Sequence, residues 1–159
     1  SVFQAIPYYE PVPGSFSEIS VNPPPPFHFS LLFPLCSRFS VDFTFPKHEG
    51  ADLAFHFNPR FELNELVINM LESGRWGKEE RYQNPFQKGK HFEVIFIVTE
   101  AGYQVGTPDR SSFGTLLYVF RHRIPPQSVR FIQVAGDLEL QSLNVISAPV
   151  IENLVSVCY

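Results

Sequence analysis

The chain has little cysteine, no long apolar run and no block of like charge. Its two cysteines, Cys36 and Cys158, lie far apart in a sequence of 159 residues, and two such thiols make no disulfide framework. Both are expected to be reduced, which fits a cytosolic origin. Lys and Arg number 12 against 16 Asp and Glu, a formal net charge of −4. The cations are scattered, whereas phosphate recognition needs them concentrated, so no nucleic-acid partner is expected. No apolar stretch reaches the roughly 18 residues of a membrane span. The nearest candidate, Phe27 to Leu35, is short and holds His28 and Pro34. Ala, Lys and Glu, the residues that favour helices, are not abundant.

What is present instead is Phe, 17 residues of it, with Val, Ile, Ser, Pro and Asn. That mixture favours strands joined by turns. Arg38 to Phe45 alternates Phe39, Val41, Phe43 and Phe45 with Arg38, Ser40, Asp42 and Thr44. A strand with one buried face gives this period of two. Ala51 to Arg60 repeats it, with Leu53, Phe55 and Phe57 on one face and His56, Asn58 and Arg60 on the other. Further strands are expected at 16–21, 66–71, 75–82, 91–98, 115–120, 129–134 and 138–146. Gly74 starts one turn, residues 85–89 make another, and Gly136-Asp137 separates the last two strands. The apolar Ile95 and Ile97 suggest that strand 91–98 is buried on both faces. Residues 1–15 read as an extended arm and Asn22 to Pro26 as polyproline or an edge. Phe27 to Leu35 has no clear assignment. About eight to eleven short strands with no helix imply an all-β antiparallel sandwich of two sheets in a single domain.

Seven polar or aromatic residues fall in one window: His56, Asn58, Arg60, Asn69, Trp76, Glu79 and Arg81. Alternation puts His56, Asn58 and Arg60 on one face. Asn69 projects from the neighbouring strand, and Glu79 and Arg81 share a face. The row suits a neutral sugar, whose hydroxyls both donate and accept and find matching groups in Arg, His and Asn. Galactose has one face of C–H groups, which a flat indole covers while excluding water. Glu79 is placed to hold both Arg60 and Arg81 through charge-assisted bonds, and a preorganised site loses less entropy on binding.

The segments HFNPRF (His56 to Phe61), VIN (Val67 to Asn69) and WGKEER (Trp76 to Arg81) closely resemble the galectin signature in order and spacing. FRHRIPPQSV (Phe120 to Val129) and GDLELQSLNVI (Gly136 to Ile146) resemble the closing strands of that family. PYYEPVPG is similar to the start of a single carbohydrate-recognition domain in a tandem-repeat galectin. The resemblance implies a galectin-like jelly-roll sandwich over residues 1–146, with 147–159 as tail or linker remnant. It implies binding of β-galactosides, such as lactose or N-acetyllactosamine, on the concave sheet. His56, Asn58 and Arg60 would grip the axial hydroxyl, and Asn69 and Glu79 the exocyclic one. Trp76 would stack on the ring, and Glu79 and Arg81 would reach the next saccharide. Arg38 matches a position that touches extended glycans in some members. The family needs no metal or cofactor. It implies cytosolic synthesis, export without a signal peptide, and cross-linking of glycoconjugates through a homodimer or a second domain.

Two stretches leave the pattern: 23–37, where prolines cannot donate ladder hydrogen bonds, and 106–119, which is longer than usual and lacks Asn-Gly. Other readings fit less well. Glu79 and Glu80 suggest a glycosidase acid pair, but adjacent strand residues face opposite ways, and such carboxylates flank one bond at about 5–9 Å. His56 with Glu79 is half a metal site without further ligands at suitable spacing. His28, His48, His91 and His122 read as surface or strand histidines, and Asp42 and Glu62 as solvated. The competing class is a galectin-like protein-interaction domain with weak or absent sugar binding.

Overall fold

The computed structural model describes residues 38–45, 51–107 and 115–136, Ser128 by its backbone alone, and the strand backbone at 4–5, 17–20, 27–32 and 139–147. Among these residues the chain forms thirteen strands and one 3-10 turn, Pro126–Ser128. One sheet runs β2 (Ser17–Ser20), β12 (Phe131–Gly136), β4 (Phe39–Thr44), β5 (Leu53–Arg60) and β6 (Glu65–Glu72). Both β7 (Arg75–Trp76) and β8 (Glu80–Gln83) pair with the outer side of β6. The other sheet runs β1 (Gln4–Ala5), β13 (Glu139–Ser147), β3 (Phe27–Leu32), β9 (Phe92–Val98), β10 (Gly102–Thr107) and β11 (Thr115–Arg121). Every pairing is antiparallel.

The core lies between the sheets and is built from the apolar halves of the alternating strands. Phe39, Phe43, Phe55 and Phe57 enter it from the first sheet, and Val94, Phe96, Tyr103, Val105 and Phe120 from the second. The rings meet across the gap edge to face: Phe43 on Tyr103 at 5.1 Å and 82°, Phe57 on Phe96 at 5.1 Å and 81°. This geometry sets ring edges on ring faces, which adds to the burial itself. A fully buried Phe contributes about 1.5–3 kcal/mol over an exposed one. Such a core fixes which face of β5 is left for solvent.

Several expectations are corrected in detail. Phe27 to Leu35 holds an inner strand, since β3 lies between β13 and β9. Its prolines fall just outside Phe27–Leu32, so the ladder is spared them. Gly102–Thr107 is a strand that alternation did not reveal, because Gly102 and Gly106 contribute no side chain to the pattern. The strand expected at 75–82 is two pieces, with Gly77, Lys78 and Glu79 between them. Within the expected N-terminal arm, Gln4 and Ala5 pair with Ser147 and Ile146. β13 thus runs through Ser147, one residue into the expected tail. Ile95 is buried as expected of a strand covered on both faces. Asn22 to Pro26, Cys36, His48, residues 108–114, Asp137 and residues 148–159 lie outside the described residues. Among the described residues no helix is long and apolar enough to cross a membrane.

Candidate functional site

The polar face of β5 begins with a local anomaly. Pro59 has no N–H, and the β4–β5 ladder stops at Val41↔Phe57 before resuming as a single bridge, Arg38↔Arg60. In that gap the Asn58 side chain does the pairing: Nδ2 donates to the Phe39 carbonyl at 2.6 Å. Its Oδ1 accepts from Arg60 Nε at 3.0 Å. Asn58 is therefore fixed at both ends of its amide and in turn aims Arg60. The expected Glu79 partner of Arg60 is replaced by this shorter-range bond. Glu79 holds only the second arginine, Arg81 Nη2, at 2.5 Å, while Arg81 Nη1 pairs with Glu65 at 2.8 Å.

His56 lies directly across from two other strands. Its Cα partners are Asp42 on β4 and Asn69 on β6. Its Nδ1 makes a short contact with Asp42 Oδ1. Asp42, expected to be solvated, is only 9% exposed. A carboxylate accepts, so Nδ1 carries the proton in the neutral ring and Nε2 is left as an acceptor. Ser40 Oγ donates to the other Asp42 oxygen at 3.4 Å. Asp42 is thus a partner of the polar row that alternation alone did not flag. Alternation puts it on the polar face, but only the register places it opposite His56. Glu62, the other acid read as solvated, is exposed.

Asn69 is 2% exposed. Its Nδ2 donates to the Gly77 carbonyl at 2.9 Å and its Oδ1 accepts from Met70 N at 2.8 Å. The turn that follows, Ser73-Gly74, has positive φ at both residues, 52° and 76°. Two such residues between paired strands make the tight hairpin turn whose twist matches the strands. The chain therefore doubles back at once, placing Trp76 opposite Leu71. Trp76 remains 53% exposed, its ring 4.8 Å from that of His56.

These side chains border one cleft of about 500 Å³. Its walls include Arg38, Ser40, His56, Asn58, Arg60, Asn69, Trp76 and Glu79, with Ala135 and Gly136 of β12 at the far end. Six of the seven expected residues, and Arg38, thus share one space. Arg81 is not in the lining and pairs with Glu79, which is. Glu80, the neighbouring acid, turns to Tyr82 and Arg123 instead. His91 is exposed, and His122 is half-buried with Nε2 2.7 Å from the Thr99 carbonyl. Among the described residues no three His, Cys, Asp or Glu gather as a metal-holding group. The cleft is a rigid polar floor with an indole at its margin, suited to an uncharged polyol with one apolar face.

The family model for galactoside-binding lectins matches residues 19–145. The chain belongs to the galectin family. It is 51% identical to mouse galectin-6 over 108 residues, 67% of this chain and 34% of that protein. It is 43% identical to rat galectin-4 over 144 residues, 87% of this chain and 41% of that protein. The chain thus spans between about a third and two-fifths of the length of these relatives. Its backbone is similar to sheep galectin-11 in complex with glycerol, with a TM-score of 0.71 and 29% identity over 84% of this chain and 96% of that one. The two-sheet sandwich is therefore the galectin jelly roll. Galectins are lectins, not enzymes, and the hydrolase reading falls on that ground.

Proposed function

We propose that this galectin chain binds β-galactosides non-covalently, with lactose and N-acetyllactosamine-type glycans as its ligands. The observation that carries the reading is the convergence of His56, Asn58, Arg60, Asn69, Glu79 and an exposed Trp76 on one cleft. In this assignment Arg60 and the acceptor Nε2 of His56 take the axial hydroxyl of galactose, with Asn58 holding Arg60 in place. Asn69 and Glu79 take the exocyclic hydroxyl. Trp76 covers the C–H face, and Glu79 with its brace Arg81 meets the next saccharide. Arg38, at the other end of the cleft, is the candidate contact for longer glycans.

One carbohydrate-recognition domain is proposed, expected over residues 1–146 and extended through Ser147 by β13, with the residues after it as tail or linker. Cross-linking of glycoproteins would need a second site, supplied by another domain or a second copy. Synthesis in the cytosol and export without a signal peptide are proposed on the same family grounds.

Retention on immobilised lactose tests the reading. The wild-type chain is expected to bind the matrix and elute with free lactose but not with sucrose. Arg60→Ala is expected to pass through unretained with an unchanged circular dichroism spectrum. A wild-type chain that flows through sinks the galactoside assignment and leaves the protein-interaction class standing. Retention of folded Arg60→Ala would refute the site.

A further inference from the structure

We propose that Arg123 is a positioning residue for the saccharide site, a strut from the opposite sheet that fixes the segment bearing Trp76 and Glu79. The inference rests on the galactoside reading, and concerns a residue outside the polar row.

The segment needs holding. β7 pairs with β6 as far as Leu71↔Trp76, and β8 resumes at Ile68↔Glu80. Gly77, Lys78 and Glu79 lie between, without ladder pairing. Gly77 is tied to β6 at both its groups, N to the Met70 carbonyl at 3.0 Å and O from Asn69 Nδ2 at 2.9 Å. Lys78 is tied by Arg123, whose Nη1 donates to its carbonyl at 2.7 Å. The same Nη1 stands 3.5 Å from Asn69 Oδ1, and Nη2 pairs with Glu80 at 2.8 Å.

Arg123 follows β11, on the other side of the sandwich, and its guanidinium carbon lies 4.8 Å from the centre of the Phe120 ring. Phe120 is fully buried, so the strut is footed in the core. A planar fork with fixed donor directions suits this task better than an ammonium. Gly77 keeps the approach open, since a Cβ there would meet Met70 Sδ at 2.7 Å and Arg123 Nη1 at 3.1 Å. With Arg123 in place, the indole and the Glu79 carboxylate are set before sugar arrives, and less ordering remains for binding.

The test compares the wild-type chain with Arg123→Met and Arg123→Lys by calorimetric titration with lactose. Emission and acrylamide quenching without sugar form the second readout, and Trp76 is the sole tryptophan. Arg123→Met keeps the stem but no donors, and its lactose Kd is expected to rise about tenfold. The Trp76 emission is expected to change as well. Arg123→Lys, which can still reach the Lys78 carbonyl or Glu80, is expected to recover part of both. Wild-type affinity and emission in Arg123→Met would overturn the proposal, as would a Lys variant no better than Met. If Arg123→Met does not fold, Glu80→Gln is judged by the same two readouts, and no change in either overturns it. A wild-type chain that binds no lactose sinks the galactoside reading, and the strut is then decided on Trp76 emission alone.

Discussion

At the scale of single residues, the site depends on side chains that hold other side chains. Asp42 holds His56, Asn58 holds Arg60, and Glu65 and Glu79 hold Arg81. Removing Asp42 leaves His56 in place but free to rotate and to exchange tautomers. Asp42→Ala is therefore expected to weaken lactose binding by up to about 1.5–3 kcal/mol, the range of a hydrogen bond to a charged group. Calorimetric titration checks this, and circular dichroism confirms the fold. An unchanged affinity would show that Asp42 does not orient the ring. That His56, Asn58, Arg60, Asn69, Trp76 and Glu79 would share one space was legible in the sequence because strand alternation and spacing are written there, whereas Arg81 lies outside the lining. Their braces were less so. Alternation tells which face a residue takes, not what stands across from it. Asp42 therefore read as solvated, and Arg60 was assigned to Glu79 instead of to its near neighbour Asn58.

At the scale of elements, strands with bulky apolar alternation were legible and strands without it were not. β4 carries Phe39, Val41 and Phe43, and β5 Leu53, Phe55 and Phe57, at every second position, so their extent was clear within a few residues. β10 carries Gly102 and Gly106, and the close approach they allow is what the strand needs. A Cβ on Gly102 would sit 2.2 Å from the Phe120 carbonyl oxygen and 2.9 Å from Arg121 Cα. Both are backbone atoms of β11 and cannot turn aside. Gly102→Ala is expected to destabilise the domain by about 1–3 kcal/mol, through strain and a disturbed β10–β11 ladder. Urea unfolding measures the effect, and a midpoint equal to wild type would contradict it. The break between β7 and β8 was missed for a related reason. Trp76 to Tyr82 looks continuous in composition, yet Gly77 packs against Asn69 and Met70 where a strand residue would need room for a side chain.

At the scale of the whole molecule, the aromatic core that unites the sheets also sets a limit on alkaline stability. Tyr103 is fully buried in the core, and among the described residues its hydroxyl has no hydrogen-bond partner. Burial pushes its phenol above its ordinary value near 10. The folded state keeps that proton at pH values where the unfolded chain has lost it. Stability is accordingly unaffected below about pH 10 and falls above it, by up to about 1.4 kcal/mol per pH unit for this one group. Tyr103→Phe removes the contribution and an unsatisfied polar atom together. It is expected to unfold at higher pH than wild type, at little or no cost at neutral pH. Thermal midpoints measured from pH 8 to 11 decide this, and parallel curves for the two proteins would contradict it.

One face of the first sheet supplies the core, and the other presents one cleft with one indole at its edge. Calorimetric titration of the wild-type chain and Trp76→Ala with lactose tests galactoside binding there most directly. Loss of the stacking face is expected to weaken binding by about 1.5–3 kcal/mol, the worth of a large buried apolar contact and roughly a ten- to 150-fold rise in Kd. A saturable heat is expected in the wild type that Trp76→Ala largely loses while staying folded. A wild-type chain that gives no lactose heat, or a Trp76→Ala variant that binds as well as wild type, would contradict it.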